Sequence, residues 1–174
     1  MSEQKIKVMI SKEEVTDKII QMAEVLNKEY KGKSLHLICI LKGSVFFMCE
    51  LAKYLDVPVT VDFMQVSSYG DGMVSSGMIK VKLELSESLE GKDVLIVEDI
   101  IDTGRTLRYL RDKFAEQNPA SLKICTLLDK PTNRQQGFIE ADYTGFVIED
   151  KFVVGYGLDC AQKYRNLPYI GVIE

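Results

Sequence analysis

Apolar and polar positions alternate with a helical period from residue 11 onward. Val15, Ile19, Met22, Ala23, Leu26 and Tyr30 recur on one face behind the capping-box sequence SKEE, which predicts an amphipathic helix from Ser11 to about Gly32. The pattern then changes. LHLICIL, residues 35–41, is a continuous apolar run of strand length, as expected for a parallel strand covered on both faces. A second helix is predicted over 44–55, stopped ahead of Pro58, and a β-rich stretch over 59–67. After SSYGDGMVSSG, Ile79, Val81, Leu83 and Leu85 alternate with polar residues, so 67–85 reads as a long hairpin-like excursion. Residues 94–97 form another buried strand, followed by a polar turn, a helix over 106–117 closed by Asn118-Pro119, and a strand over 122–128. Short strands in GFVIED, KFVVGYGLD and LPYIGVIE complete the chain. The expected fold is α/β: a single domain with a mostly parallel central sheet flanked by helices, and a small lobe built from the chain ends.

Composition narrows the possible functions. With 174 residues, 46% of them hydrophobic, the chain can bury one substantial core. Its 22 basic and 26 acidic residues give a formal charge of -4, leaving no broad basic surface, so neither nucleic acid nor a membrane is an expected partner. The start MSEQKIKVMI carries no apolar signal core, and the apolar runs fall far short of the ~20 residues that span a bilayer, so a cytoplasmic location is expected. Cys39, Cys49, Cys125 and Cys160 form no CxxC pair and lie in apolar segments, which suits structural thiols. His36 cannot supply a zinc cluster alone and is expected to fill a core or pairing position.

The segment with the clearest chemistry is VLIVEDIIDTGRTL, residues 94–107. Four apolar residues lead directly into a polar cluster, which should lie just past the carboxyl end of the strand, where open α/β sheets bind ligands. The next helix presents free backbone N–H groups and the positive end of its dipole there. Gly104 lets the backbone approach a phosphate, Thr103 and Thr106 add hydroxyl donors, and Arg105 adds charge. Glu98 and Asp99 repel each other unless a cation or a hydrogen donor relieves them, and a magnesium-bound sugar with vicinal hydroxyls does both. A carboxylate pair beside a phosphate nest implies a sugar phosphate. A receiver domain also clusters acids at strand ends but lacks the TGRT loop. GxxxxGK[ST] and GxGxxG are both absent, which excludes a Walker A loop and a dinucleotide fold.

VEDIIDTGRT resembles the motif of the type I phosphoribosyltransferases, enzymes that use phosphoribosyl pyrophosphate (PRPP). LKGS at 41–44, SSYG at 67–70, LDKP at 128–131, and KFVVGYGLD with YRNLP extend the resemblance to the hypoxanthine-guanine phosphoribosyltransferases over nearly the whole chain. The resemblance implies that Glu98 and Asp99 meet the ribose hydroxyls, that Thr103, Gly104, Arg105 and Thr106 surround the 5'-phosphate, and that Asp102 faces purine N7 as the catalytic acid/base. It implies pyrophosphate contacts from Leu41, Lys42, Gly43 and Arg165, with the Leu41-Lys42 peptide cis. On the base side it implies Lys130 at the purine 6-oxygen, Phe152 stacking on the ring, Val153 reading the base edge through its backbone, and Asp159 at both base and magnesium. Magnesium is the implied cofactor, with Glu98, Asp99 and Asp159 as its residues. PRPP and a 6-oxopurine are the implied substrates, and a homodimer or homotetramer the implied assembly.

Taken singly, Lys130 would be a solvated loop lysine, Phe152 a core ring, Arg165 a surface ion-pair partner and Asp159 a turn residue. Their order relative to the PRPP motif raises each to a site candidate. Lys130 beside Pro131 is a cation on a stiffened turn, suited to an oxygen at C6 rather than an amino group. The Gly- and Ser-rich stretch 67–77, with Ser68 and Tyr69 near its start, suits a lid that keeps water from a developing ribosyl cation. A PRPP-sensing regulator and a transferase preferring xanthine stand as alternatives.

Overall fold

The computed structural model describes residues 5–68, 79–134 and 139–174. Among the described residues nine strands and three α-helices follow one another, and the longest of these helices, α1 (Lys12–Glu29), begins where the sequence places it. Ser11 Oγ accepts from Glu14 N and Glu14 reaches back to Ser11 N, completing the capping box. Val15, Ile19, Met22, Ala23 and Leu26 form its buried face.

Six strands make the central sheet in the order β4 (Ile79–Leu83), β3 (Val59–Ser68), β2 (Leu35–Leu41), β5 (Asp93–Ile101), β6 (Ser121–Asp129) and β7 (Tyr143–Val147). Every pairing is parallel except β3 with β4. α1 and α2 (Val45–Lys53) cover one face, where Leu35, Leu37, Cys39, Leu95 and Val97 join their core. α3 (Arg105–Ala115) covers the other through Leu107, Leu110 and Phe114, packed with Ile38, Ile40, Val94 and Ile96. Burial on both faces explains why β2 reads as an unbroken apolar run. A second sheet, in the order β1 (Ile6–Ile10), β9 (Ile170–Ile173), β8 (Val153–Val154), joins the two ends of the chain and is the expected small lobe.

Two expectations need correction. The strand expected over 94–97 continues to Ile101, so Glu98 and Asp99 lie within β5 rather than past it. The cause is asymmetric pairing: β2 follows β5 only as far as Cys39 opposite Val97, whereas β6 pairs with it out to Asp129 opposite Ile101. The acid pair has lost one neighbour and kept the other. The four thiols also divide, because Cys39 and Cys125 are buried but Cys49 lies on the outer face of α2 and Cys160 is half-buried. Burial pushes the Cys39 thiol up to about 12 and raises that of Cys125 as well, which leaves both inert. His36 is buried as expected, with Nδ1 2.7 Å from Thr60 Oγ1.

Candidate active site

Where β2 stops pairing, its exit turn folds over the end of β5. The Ser44 hydroxyl lies 2.7 Å from Ile40 O and 2.9 Å from Glu98 Oε1, which clips the turn to the acid pair. Asp99 N donates to Glu98 Oε1 at 3.2 Å, and Ile100 N donates to Asp99 Oδ1 at 2.8 Å. Burial, reinforced by the charge of Asp99, holds the Glu98 carboxyl well above the usual carboxylate range. Asp99 is raised too, again by burial, against the opposing pull of its hydrogen bonds and of Arg165. Two adjacent carboxylates that resist ionisation form a place where a cation or hydroxyl donors are welcome.

A line of close contacts runs from this pair to the C-terminal segment. A Cβ on Gly43 would lie 1.6 Å from Asp99 Oδ2, and one on Gly157 would lie 1.8 Å from Gly43 O. Neither position has room for a side chain. Arg165 Nη1 donates to Gly157 O at 2.7 Å, Gly157 N donates to Arg165 O at 2.9 Å, and Arg165 Nη2 lies 2.8 Å from Asp159 Oδ1. Asp159 Oδ2 accepts from Gln162 N at 2.8 Å, and Lys42 Nζ donates to Gln162 Oε1 at 3.2 Å. The Leu41-Lys42 peptide is cis. Lys42, Gly43, Asp99, Asp159 and Arg165 are therefore gathered from three separate segments. Gly157 and Gln162 were not singled out from the sequence. For Gly157 the spacing GYG carried the signal; for Gln162 there was none.

The phosphate loop follows β5 directly. Gly104, at φ 75°, is the left-handed N-cap residue of α3 and brings no side chain to the helix start, where the first-turn N–H groups lack intrahelical partners. A cavity of about 230 Å³ is lined by Glu98, Asp99, Ile100, Ile101, Asp102, Thr103, Gly104, Thr106 and Leu107. Thr103 and Arg105 are exposed and Thr106 is half-buried. A larger hollow of about 540 Å³ lies away from this chemistry, against Phe46, Cys49 and Pro168 on the outer side of α2.

Lys130 enters the site from the end of β6. Its backbone N–H donates to Ile101 O at 2.8 Å, fixing it beside the acid-bearing strand, and its ammonium lies 3.1 Å from Asp150 Oδ1. Asp150 precedes Phe152, which is 58% exposed, and Val153, buried in β8. Among the described residues no group of three or more His, Cys, Asp or Glu is placed to hold a metal by itself. Ser68 ends β3, whereas Tyr69 and the remainder of the expected lid lie outside the described residues. Among the described residues no helix is long and apolar enough to cross a membrane.

An acid pair at a strand end, a phosphate-sized nest on the next helix and a buried lysine alongside define a phosphoribosyl-binding fold, and comparison agrees. The chain matches the phosphoribosyl transferase domain over residues 10–161 and belongs to that family. It is 53% identical over 168 residues to a hypoxanthine-guanine phosphoribosyltransferase of Streptococcus pneumoniae, covering 97% of this chain and 93% of the relative. The crystal structure of a hypoxanthine-guanine phosphoribosyltransferase from Bacillus anthracis superposes with a TM-score of 0.92 at 42% identity, covering 99% of this chain and 100% of that one. A hypoxanthine phosphoribosyltransferase from Staphylococcus aureus gives 0.92 at 45% identity, over 97% of this chain and 91% of that one.

Proposed function

We propose that this chain is a purine salvage enzyme that transfers the phosphoribosyl group of PRPP to hypoxanthine or guanine, forming IMP or GMP and releasing pyrophosphate. One observation carries the reading: the Glu98–Asp99 pair, the helix-capping loop 102–106 and Lys130 converge on the ends of two adjacent strands. Relatives at about this distance bear the same activity in their names.

In this reading the loop N–H groups with Thr103, Arg105 and Thr106 hold the 5'-phosphate, and Glu98 and Asp99 accept from the ribose hydroxyls. Lys42, Gly43 and Arg165 receive the pyrophosphate. Phe152 stacks on the base, Val153 meets its edge, and Lys130 donates to the 6-oxygen. Adenine would present a donor to that donor. The reaction forms the bond between ribose C1' and N9 of the base and breaks the bond from C1' to the pyrophosphate oxygen. Asp102 takes the N7 proton as N9 attacks, while Arg165 meets charge growing on the leaving group.

The crowded carboxylates, unwilling to ionise alone, suit a divalent cation held between Glu98, Asp99, Asp159 and the substrate's own oxygens. Magnesium, when bound, would neutralise the pyrophosphate. Incubation with PRPP, hypoxanthine and magnesium should yield IMP and pyrophosphate in equal amounts. PRPP binding with no nucleotide formed from any purine would instead indicate a PRPP sensor.

A further inference from the structure

Lys130 is fixed at its backbone but not by its own chemistry at its tip. The side chain is 11% exposed, and a lysine ammonium on a flexible four-carbon stem has three donors with no preferred direction. Asp150 Oδ1 supplies a direction at 3.1 Å, from a side chain that is itself 54% exposed. Asp150 belongs to neither the end of β6 nor the phosphate loop. It stands in the segment between β7 and β8, two residues before Phe152, so this ion pair links the cation of the base side to the stretch bearing the exposed ring. Drawing one ammonium hydrogen toward Asp150 leaves the other two to point elsewhere.

We propose that Asp150 is a positioning residue that aims Lys130 at the 6-oxygen of the base and thereby sets the preference for 6-oxopurines. It rests on the reading that Lys130 donates to that oxygen. Asp150 reaches the base only through the lysine. The same pair keeps the Phe152 segment at a fixed reach from Lys130, so that stacking and the 6-oxygen contact are satisfied by one base in one plane.

The test compares two product nucleotides differing only at position 6: IMP, and purine riboside 5'-monophosphate, which lacks the oxygen. Affinities for both are measured by calorimetry on the wild-type protein and on Asp150→Asn, an isosteric change at a half-exposed site, with melting temperature and PRPP KM as controls for folding. Wild type should prefer IMP. Asp150→Asn should lose roughly tenfold of that preference, the order of one charge-assisted hydrogen bond, through weaker IMP binding alone. Hypoxanthine KM should rise while PRPP KM holds. Equal weakening of both nucleotides would make Asp150 a loop-shaping residue and overturn the proposal, as would an undiminished preference. A wild-type protein that does not discriminate between the nucleotides would instead remove the lysine–oxygen contact itself, a failure visible before any variant is made.

Discussion

In the proposed reading the phosphate side of the site comes from one unbroken segment, 98–107, whereas the base side draws Lys130, Asp150, Phe152 and Asp159 from the end of β6 and the stretches after β7 and β8. On the phosphate side the decisive groups are backbone N–H donors and two carboxylates, Glu98 buried and Asp99 half-buried, fixed by β5, α3 and glycines with no room for a Cβ. On the base side they are side chains, one of them the exposed Phe152 and another a lysine paired with a half-exposed aspartate. A rigid backbone cradle suits a substrate part that never varies. Single side chains suit the part on which selectivity turns, since each can be altered without disturbing the strand that bears it.

The comparison breaks most sharply on the phosphate side. Excess chelator should abolish turnover with every base if, as proposed, a cation lies between the acid pair and the pyrophosphate; undiminished rates in EDTA would remove the metal. Asp102→Asn comes next, at the boundary between the two sides. It should lower kcat ~10²-fold or more, roughly 3 kcal/mol of barrier, with PRPP affinity held within a few fold because the loop donors are untouched. Near-native turnover would show that Asp102 moves no proton.

Glu98→Gln with Asp99→Asn should weaken PRPP binding by roughly tenfold, as amides lose charge-assisted contacts to the ribose, and should leave the ranking of bases unchanged. A changed ranking with unchanged PRPP affinity would merge the two sides into one. The smallest effect is on the stability of the ligand-free protein. Glu98 holds its proton in the fold to higher pH than in the unfolded chain, so above the ordinary carboxylate range the native state binds more protons and stability declines as pH rises toward the folded value. The slope for one proton is at most ~1.4 kcal/mol per pH unit, and urea unfolding across a pH series should show it flattened in Glu98→Gln.

How much was legible in the sequence follows the same division. β2 and the motif 98–106 declared themselves because burial on both faces and a phosphate loop each leave a contiguous pattern. The extension of β5 through Glu98 and Asp99 did not, since only the early end of β2 allows two carboxylates inside a strand. β1 was missed for a related reason: only Ile10 of IKVMI is fully buried, and the segment gains its strand pairing from β9, at the far end of the chain. Asp150, Gly157 and Gln162 meet partners distant in sequence, namely Lys130, Gly43 and Lys42; GYG hinted at Gly157, but no local spacing announces the contacts of the other two. Lys130, Phe152, Asp159 and Arg165 became site candidates only by their order relative to the phosphate motif.

The central claim is that a phosphoribosyl cradle is joined to a base side that demands an oxygen at position 6. Steady-state kcat/KM for hypoxanthine and for adenine, measured side by side with saturating PRPP and magnesium, addresses both halves at once. The account predicts rapid turnover of hypoxanthine and a preference over adenine on the order of 10⁴-fold, because adenine's amino group would leave the buried lysine facing another donor. Comparable turnover of the two bases would contradict it.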